Sequence, residues 1–184
     1  MSVMGLGLIA AWAAAKQAPT PPPGVKDDIA AVKAALWQHG FEVATVENPT
    51  GAALRANFES FIKKYARDFD NRIVIYFAGH GAPEGQETYW VTYNADIDDL
   101  YATALSNKDI SDMLDRVEAR RVITLLDSCY SAATVNRANK TRDVGVEIPW
   151  DQFTGKGRLA ISASDGAQLS LEMQEFQHGV FTYY

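Results

Sequence analysis

The chain has 184 residues, 47% hydrophobic and 22% charged, enough for one ordinary domain with a substantial core and too few for two. Seventeen basic against 23 acidic residues give a net charge of −6, the wrong sign for neutralising a phosphate backbone over a broad surface, so no nucleic-acid partner is expected. A single cysteine, Cys129, excludes an intramolecular disulfide framework and the usual four-ligand cysteine zinc cluster, and no apolar run reaches the roughly 18 residues of a membrane-spanning helix.

In chain order, Gly5-Leu6-Gly7-Leu8-Ile9-Ala10 reads as a buried first strand followed by a loop through the Pro19 to Pro23 cluster. Met4 to Ala15 also has the apolar stretch and small-residue end of a secretory leader, but no Lys or Arg precedes it, so a cytoplasmic protein is expected. Ile29, Val32, Leu36 and Trp37 recur at helical spacing between Asp27-Asp28 and Gly40, which predicts a helix over Lys26 to His39 with carboxylates at its positive end. Phe41 to Val46 reads as a strand. Leu54, Phe58, Phe61, Ile62 and Tyr65 mark a second helix entered at Thr50, and Arg72 to Phe77 is a short apolar run of strand character. Ser106 with Asp109 three residues on, then Ile110, Met113, Leu114 and Val117, predicts a third, capped helix. Val122 to Leu126 and Leu159 to Ala163 complete the strands. This alternation predicts an α/β fold with a mostly parallel central sheet, helices on both faces and an active site beyond the strand C-termini.

His80 lies between Gly79 and Gly81 just past one buried strand, where glycine permits tight turns and the close approach of another backbone or of substrate, and its imidazole is expected to be exposed at the sheet edge. Cys129 follows another strand by a similar offset, so parallel alignment brings the two to one rim of the sheet. There a thiolate can attack an acyl carbon while an imidazole handles the proton and backbone N–H groups, those of Gly81 and Cys129, stabilise the oxyanion. Alone, either residue has a plainer reading, since a lone cysteine is more often a small buried hydrophobe and a lone histidine structural. Both at strand ends, among small residues, point to catalysis.

Around these residues the sequence resembles the caspase-like cysteine peptidases, and within them the metacaspases and bacterial orthocaspases. His80 lies 49 residues upstream of Cys129, which matches the roughly 50-residue separation already known for caspases. Asp127-Ser128-Cys129-Tyr130-Ser131 is similar to the metacaspase Asp-x-Cys-His-Ser-Gly pattern, with Tyr130 for His and Ala132 for Gly. Gly24-Val25-Lys26-Asp27-Asp28 resembles the family's Gly-x-x-Asn-Asp, and Phe77-Ala78-Gly79-His80-Gly81 its Tyr-Ala-Gly-His-Gly. Gly157 to Ser164 and His178 to Thr182 resemble small-subunit motifs.

The resemblance implies a caspase-hemoglobinase fold and a single peptidase domain over 1–184. Residues 1–135 would be large-subunit-like, 136–157 a linker, and 158–184 the start of a small-subunit-like part that is short for the family. It implies an endopeptidase with a His80–Cys129 dyad acting on protein or peptide substrates, with Asp28 and Asp127 binding a Lys or Arg side chain. Physics agrees with that choice, because carboxylates in a partly desolvated pocket favour a cation whereas selecting aspartate needs arginines. The plainer readings are helix N-terminal stabilisation for Asp28 and a hydrogen bond to turn amides for Asp127, and Asp27 is the weaker pocket candidate.

Self-processing is expected at Arg137, Lys140 or Arg142, in a polar stretch where the resembled family divides its subunits. The chemistry requires no metal or cofactor. Calcium activates many metacaspases, and Asp96, Asp98, Asp99 and Asp109 offer oxygen ligands but match no EF-hand spacing, so a solvated loop is the preferred reading. His39 reads as a partner of a helix C-terminus, and His178 as surface or packing. The rival function is a catalytically silent caspase-like interaction module, suggested by Tyr130, Ala132 and the short C-terminal part. A serine esterase would need the Gly-x-Ser-x-Gly elbow that the chain lacks.

Overall fold

A computed structural model describes residues 5–11, 25–85, 87–130, 157–162, 172–173 and 178–179. Along the chain the elements are β1 (Gly5–Ala11), α1 (Val25–Gln38), β2 (Phe41–Glu47), α2 (Gly51–Tyr65), β3 (Arg72–Glu84), β4 (Glu87–Trp90) and α3 (Leu100–Thr103). There follow β5 (Leu105–Ser106), α4 (Asn107–Leu114), β6 (Arg121–Tyr130), β7 (Arg158–Ser162), β8 (Glu172–Met173) and β9 (His178–Gly179).

Five strands pair in parallel in the order β2-β1-β3-β6-β7, while β4 and β5 extend the sheet antiparallel from the far end of β3. The stretch Gly5–Ala11 is thus an internal strand, paired with β2 on one edge and β3 on the other. A separate antiparallel pair joins β8 to β9, and β9 lies beside α1.

Strand alternation divides the apolar residues of β3 between two layers. Ile73, Ile75 and Phe77 pack with Leu54, Phe58 and Ile62 of α2 and Ile110 and Leu114 of α4. Tyr76 and Ala78 face the other way, against Ile29 and Val32 of α1. Opposite placement of α1 and α2 is what right-handed crossovers require when β1 to β2 and β2 to β3 run in opposite directions across the sheet. Buried on both faces, β3 reads in the sequence as a continuous apolar run rather than an alternation.

Local chemistry sets the helix starts. Thr50 caps α2, its hydroxyl accepting the Ala53 N–H at 3.2 Å. Ser106 and Asp109 form a reciprocal capping box on α4. That helix ends at Leu114, before Val117, which packs from the following loop. The expected strand over Arg72 to Phe77 continues to Glu84, where the chain reverses into β4. Phe77 and Trp90 stack at 4.3 Å, and the Trp90 indole N–H donates to the buried Asn107 side-chain oxygen at 2.9 Å. Among the described residues no helix is long and apolar enough to cross a membrane.

Candidate active site at the ends of β3 and β6

The longest pairing in the sheet joins β3 to β6, running in parallel from Arg72↔Arg121 through Gly81↔Tyr130. Within it His80 and Cys129 are direct register partners, on strands that in any sheet lie about 4.8 Å apart. The pleat puts positions 76, 78 and 80 of β3, with their partners 125, 127 and 129 of β6, on the face that α1 covers. His80 is half-buried.

The strand expected to end at Phe77 runs on through His80, and the imidazole expected to be exposed is half-buried. Gly79, His80 and Gly81 are extended strand, and Gly81 is paired on both edges, with Trp90 of β4 and Tyr130 of β6. The Val91 N–H donates to the His80 carbonyl at 2.9 Å. Of the two uses the flanking glycines allow, a tight turn or the close approach of another backbone, the antiparallel neighbour folding back over this end realises the second.

The two carboxylates predicted to bind substrate come from different elements. Asp28 sits in the first turn of α1 and is only 3% exposed, while its neighbour Asp27 faces solvent. Helix α1 packs Ile29 against Tyr76 and Ala78, so its N-terminus overlies the same face of β3. Asp127 is the register partner of Ala78, two residues before Cys129, and accepts a hydrogen bond from the Tyr76 hydroxyl at 3.3 Å. Asp28, Asp127, His80 and Cys129 therefore occupy positions on one face near one end of the sheet. In the sequence Tyr76 is one residue of the apolar run Arg72 to Phe77. Its role as a donor depends on a diagonal contact across strands, which needs the register.

The remaining candidates lie elsewhere. His39 is exposed after the last turn of α1, and His178 is in β9, beside α1. Asp96, Asp98 and Asp99 belong to the loop before α3, where Asp96 accepts the Asp98 N–H and Asp99 caps the helix. Asp109 is committed to Ser106 and to Arg55 of α2. Among the described residues no group of three or more His, Cys, Asp or Glu could hold a metal ion. Arg137, Lys140 and Arg142 lie outside the described residues.

No curated protein matches the chain. Among solved structures it is similar to a protein from Geobacter sulfurreducens, at 17% identity and a TM-score of 0.66, over 97% of this chain and 78% of that one. Such a likeness carries the fold alone. The family model for the peptidase C14 caspase domain matches residues 10–183, which span all the described strands from Ala10 of β1 to the end of β9. On that match the chain belongs to the caspase-domain family of cysteine peptidases.

Proposed function

We propose that the protein is a cysteine endopeptidase of metacaspase or orthocaspase type that uses His80 and Cys129 as a dyad and cuts after Arg or Lys. The observation that carries this reading is the register pairing of His80 with Cys129 at the end of the two central parallel strands. The Cys129 sulfur, deprotonated by the His80 imidazole, attacks the scissile carbonyl carbon. The resulting oxyanion is held by backbone N–H groups, with Gly81 and Cys129 as the candidates. Collapse of the adduct expels the amine, which takes its proton from the imidazolium, and leaves a thioester. Water then attacks the thioester with His80 as general base, releasing the acid and the free thiol.

Selectivity for a cationic side chain rests on Asp28 and Asp127. The buried Asp28 lies at the start of the helix that covers the site face, and Asp127 lies two residues before the proposed nucleophile on that face. Carboxylates in a partly desolvated site attract a guanidinium or ammonium group and repel an acidic one. We further propose that the enzyme processes itself at Arg137, Lys140 or Arg142, and that the chemical step requires no metal or cofactor.

The test is labelling by a thiol-reactive peptide probe ending in Arg, together with hydrolysis of Arg and Lys peptides. Wild type is expected to label and to turn over peptide. Cys129→Ala and His80→Ala should each lose nearly all turnover with the fold retained, because a nucleophile and its base act as one unit. Neither labelling nor turnover in the wild type would instead favour a silent interaction module, and turnover undiminished in Cys129→Ala would overturn the dyad.

A further inference from the structure

Tyr76 lies at the heart of the α1 layer, 1% exposed, packed against Ile29 and Ala78. Packing explains its ring and leaves the hydroxyl unexplained, since a leucine or phenylalanine fills an apolar layer without introducing a group that must be hydrogen-bonded. That hydroxyl donates to Oδ2 of Asp127 at 3.3 Å. The register shows how it reaches: Tyr76 is opposite Leu125, so Asp127 is its diagonal neighbour two residues further along β6. The partner of Asp127 on β3 is Ala78, whose methyl group takes little of the space between the phenol and the carboxylate.

We infer that Tyr76 is a positioning residue for substrate selection, holding the Asp127 carboxylate in the orientation that receives the substrate's cationic side chain. The inference rests on the reading of Asp127 as a substrate-binding residue. A carboxylate offers about four lone-pair sites, so accepting one bond from a phenol leaves capacity for a cation while restricting rotation about the terminal torsion. Fixing the group before substrate arrives removes an ordering cost from binding.

The experiment compares kcat/KM for a peptide ending in Arg with its citrulline twin, which has nearly the same shape and no charge. It uses wild type, Tyr76→Phe, Asp127→Ala and the double variant. Tyr76→Phe keeps the buried ring, and thermal melts of all four proteins monitor the fold. Tyr76→Phe is expected to lower the Arg-over-citrulline ratio about ten-fold, mainly through KM for the Arg peptide, as loss of a hydrogen bond to a charged group predicts. In the Asp127→Ala background the same change should have no further effect, because the hydroxyl acts through that carboxylate. An unchanged ratio in Tyr76→Phe, equal losses on both peptides, or full additivity in the double variant would each overturn the inference. If Asp127→Ala leaves the ratio untouched, the substrate-binding reading itself fails. If Asp127→Ala erases the ratio and Tyr76→Phe does not move it, only the role of Tyr76 fails.

Discussion

Arg55 and Asp109 tie α2 to α4 through a 2.8 Å ion pair, and the same carboxylate accepts the backbone N–H and hydroxyl of Ser106 at 3.1 Å each. Partial burial opposes ionisation of Asp109, but the bonds from Arg55 and Ser106 outweigh it and hold the carboxyl below its ordinary value. A group depressed in the folded state contributes stability above its unfolded pKa, about 3.9, and loses that contribution as pH falls through the folded value. Asp109→Asn should therefore be less stable than wild type at pH 7, with the gap closing toward pH 3. Urea unfolding midpoints across that range check it, and a gap of the same size at both ends would contradict it. Ser106→Ala, which removes the other half of the box, is expected to cost about 1 kcal/mol.

Gly157 adopts φ +78, and a side chain there would place its Cβ 1.9 Å from the Arg120 carbonyl oxygen. The Val122 N–H donates to the Gly157 carbonyl at 2.9 Å, so this close approach is what brings the start of β7 against β6. Gly85, at φ +64 in the turn between β3 and β4, has open space around it. Gly85→Ala should then cost about 1–2 kcal/mol from the left-handed backbone alone. Gly157→Ala should cost clearly more, because the backbone must also move. Calorimetric melts of the two variants decide it, and equal losses would refute the role given to the contact.

Peptides with Arg or Lys before the scissile bond should be cut far better than matched Asp peptides. Asp127→Ala is expected to remove about ten- to hundred-fold of that preference, the value of one charge-assisted partner. Initial rates over a small peptide panel measure it. A preference for Asp would set aside the cationic pocket while leaving the proposed dyad standing.

Self-processing predicts new termini after Arg137, Lys140 or Arg142 in the wild type and none in Cys129→Ala. Intact-mass spectrometry after incubation with and without calcium reads both. An uncut wild type that turns over peptide would remove self-processing from the mechanism, and equal cuts in the variant would assign them to a contaminating protease.

The parts of this fold legible in the sequence are those governed by neighbouring residues. Thr50 and Ser106 announce their helices because capping is a contact over three positions. The apolar runs at 73–77 and 122–126 announce buried strands. Trp37 was counted in the apolar stripe of α1 yet is 74% exposed, since spacing alone does not say how wide a face the sheet covers. Strands β4 and β5 were missed because four residues and two residues carry too little periodicity to register. At the site, matching offsets of His80 and Cys129 from their strands were enough to bring them to one rim. The straight backbone at His80 was hidden, because it depends on β4 folding back, and so was the Tyr76–Asp127 bond, because it crosses strands 51 residues apart.

The ten pairs between β3 and β6 make the spacing of the proposed dyad a property of the whole ladder. A slip of one residue would turn every side chain of β6 to the opposite face, so the apolar pattern of Val122 to Leu126 acts as a ruler for a position several residues away. Core substitutions that keep volume but blur this pattern should damage activity before they damage stability. Their signature would be a well-folded protein with a mixed population of active and inactive molecules, visible as a titratable fraction below one when the thiol probe is counted against total enzyme.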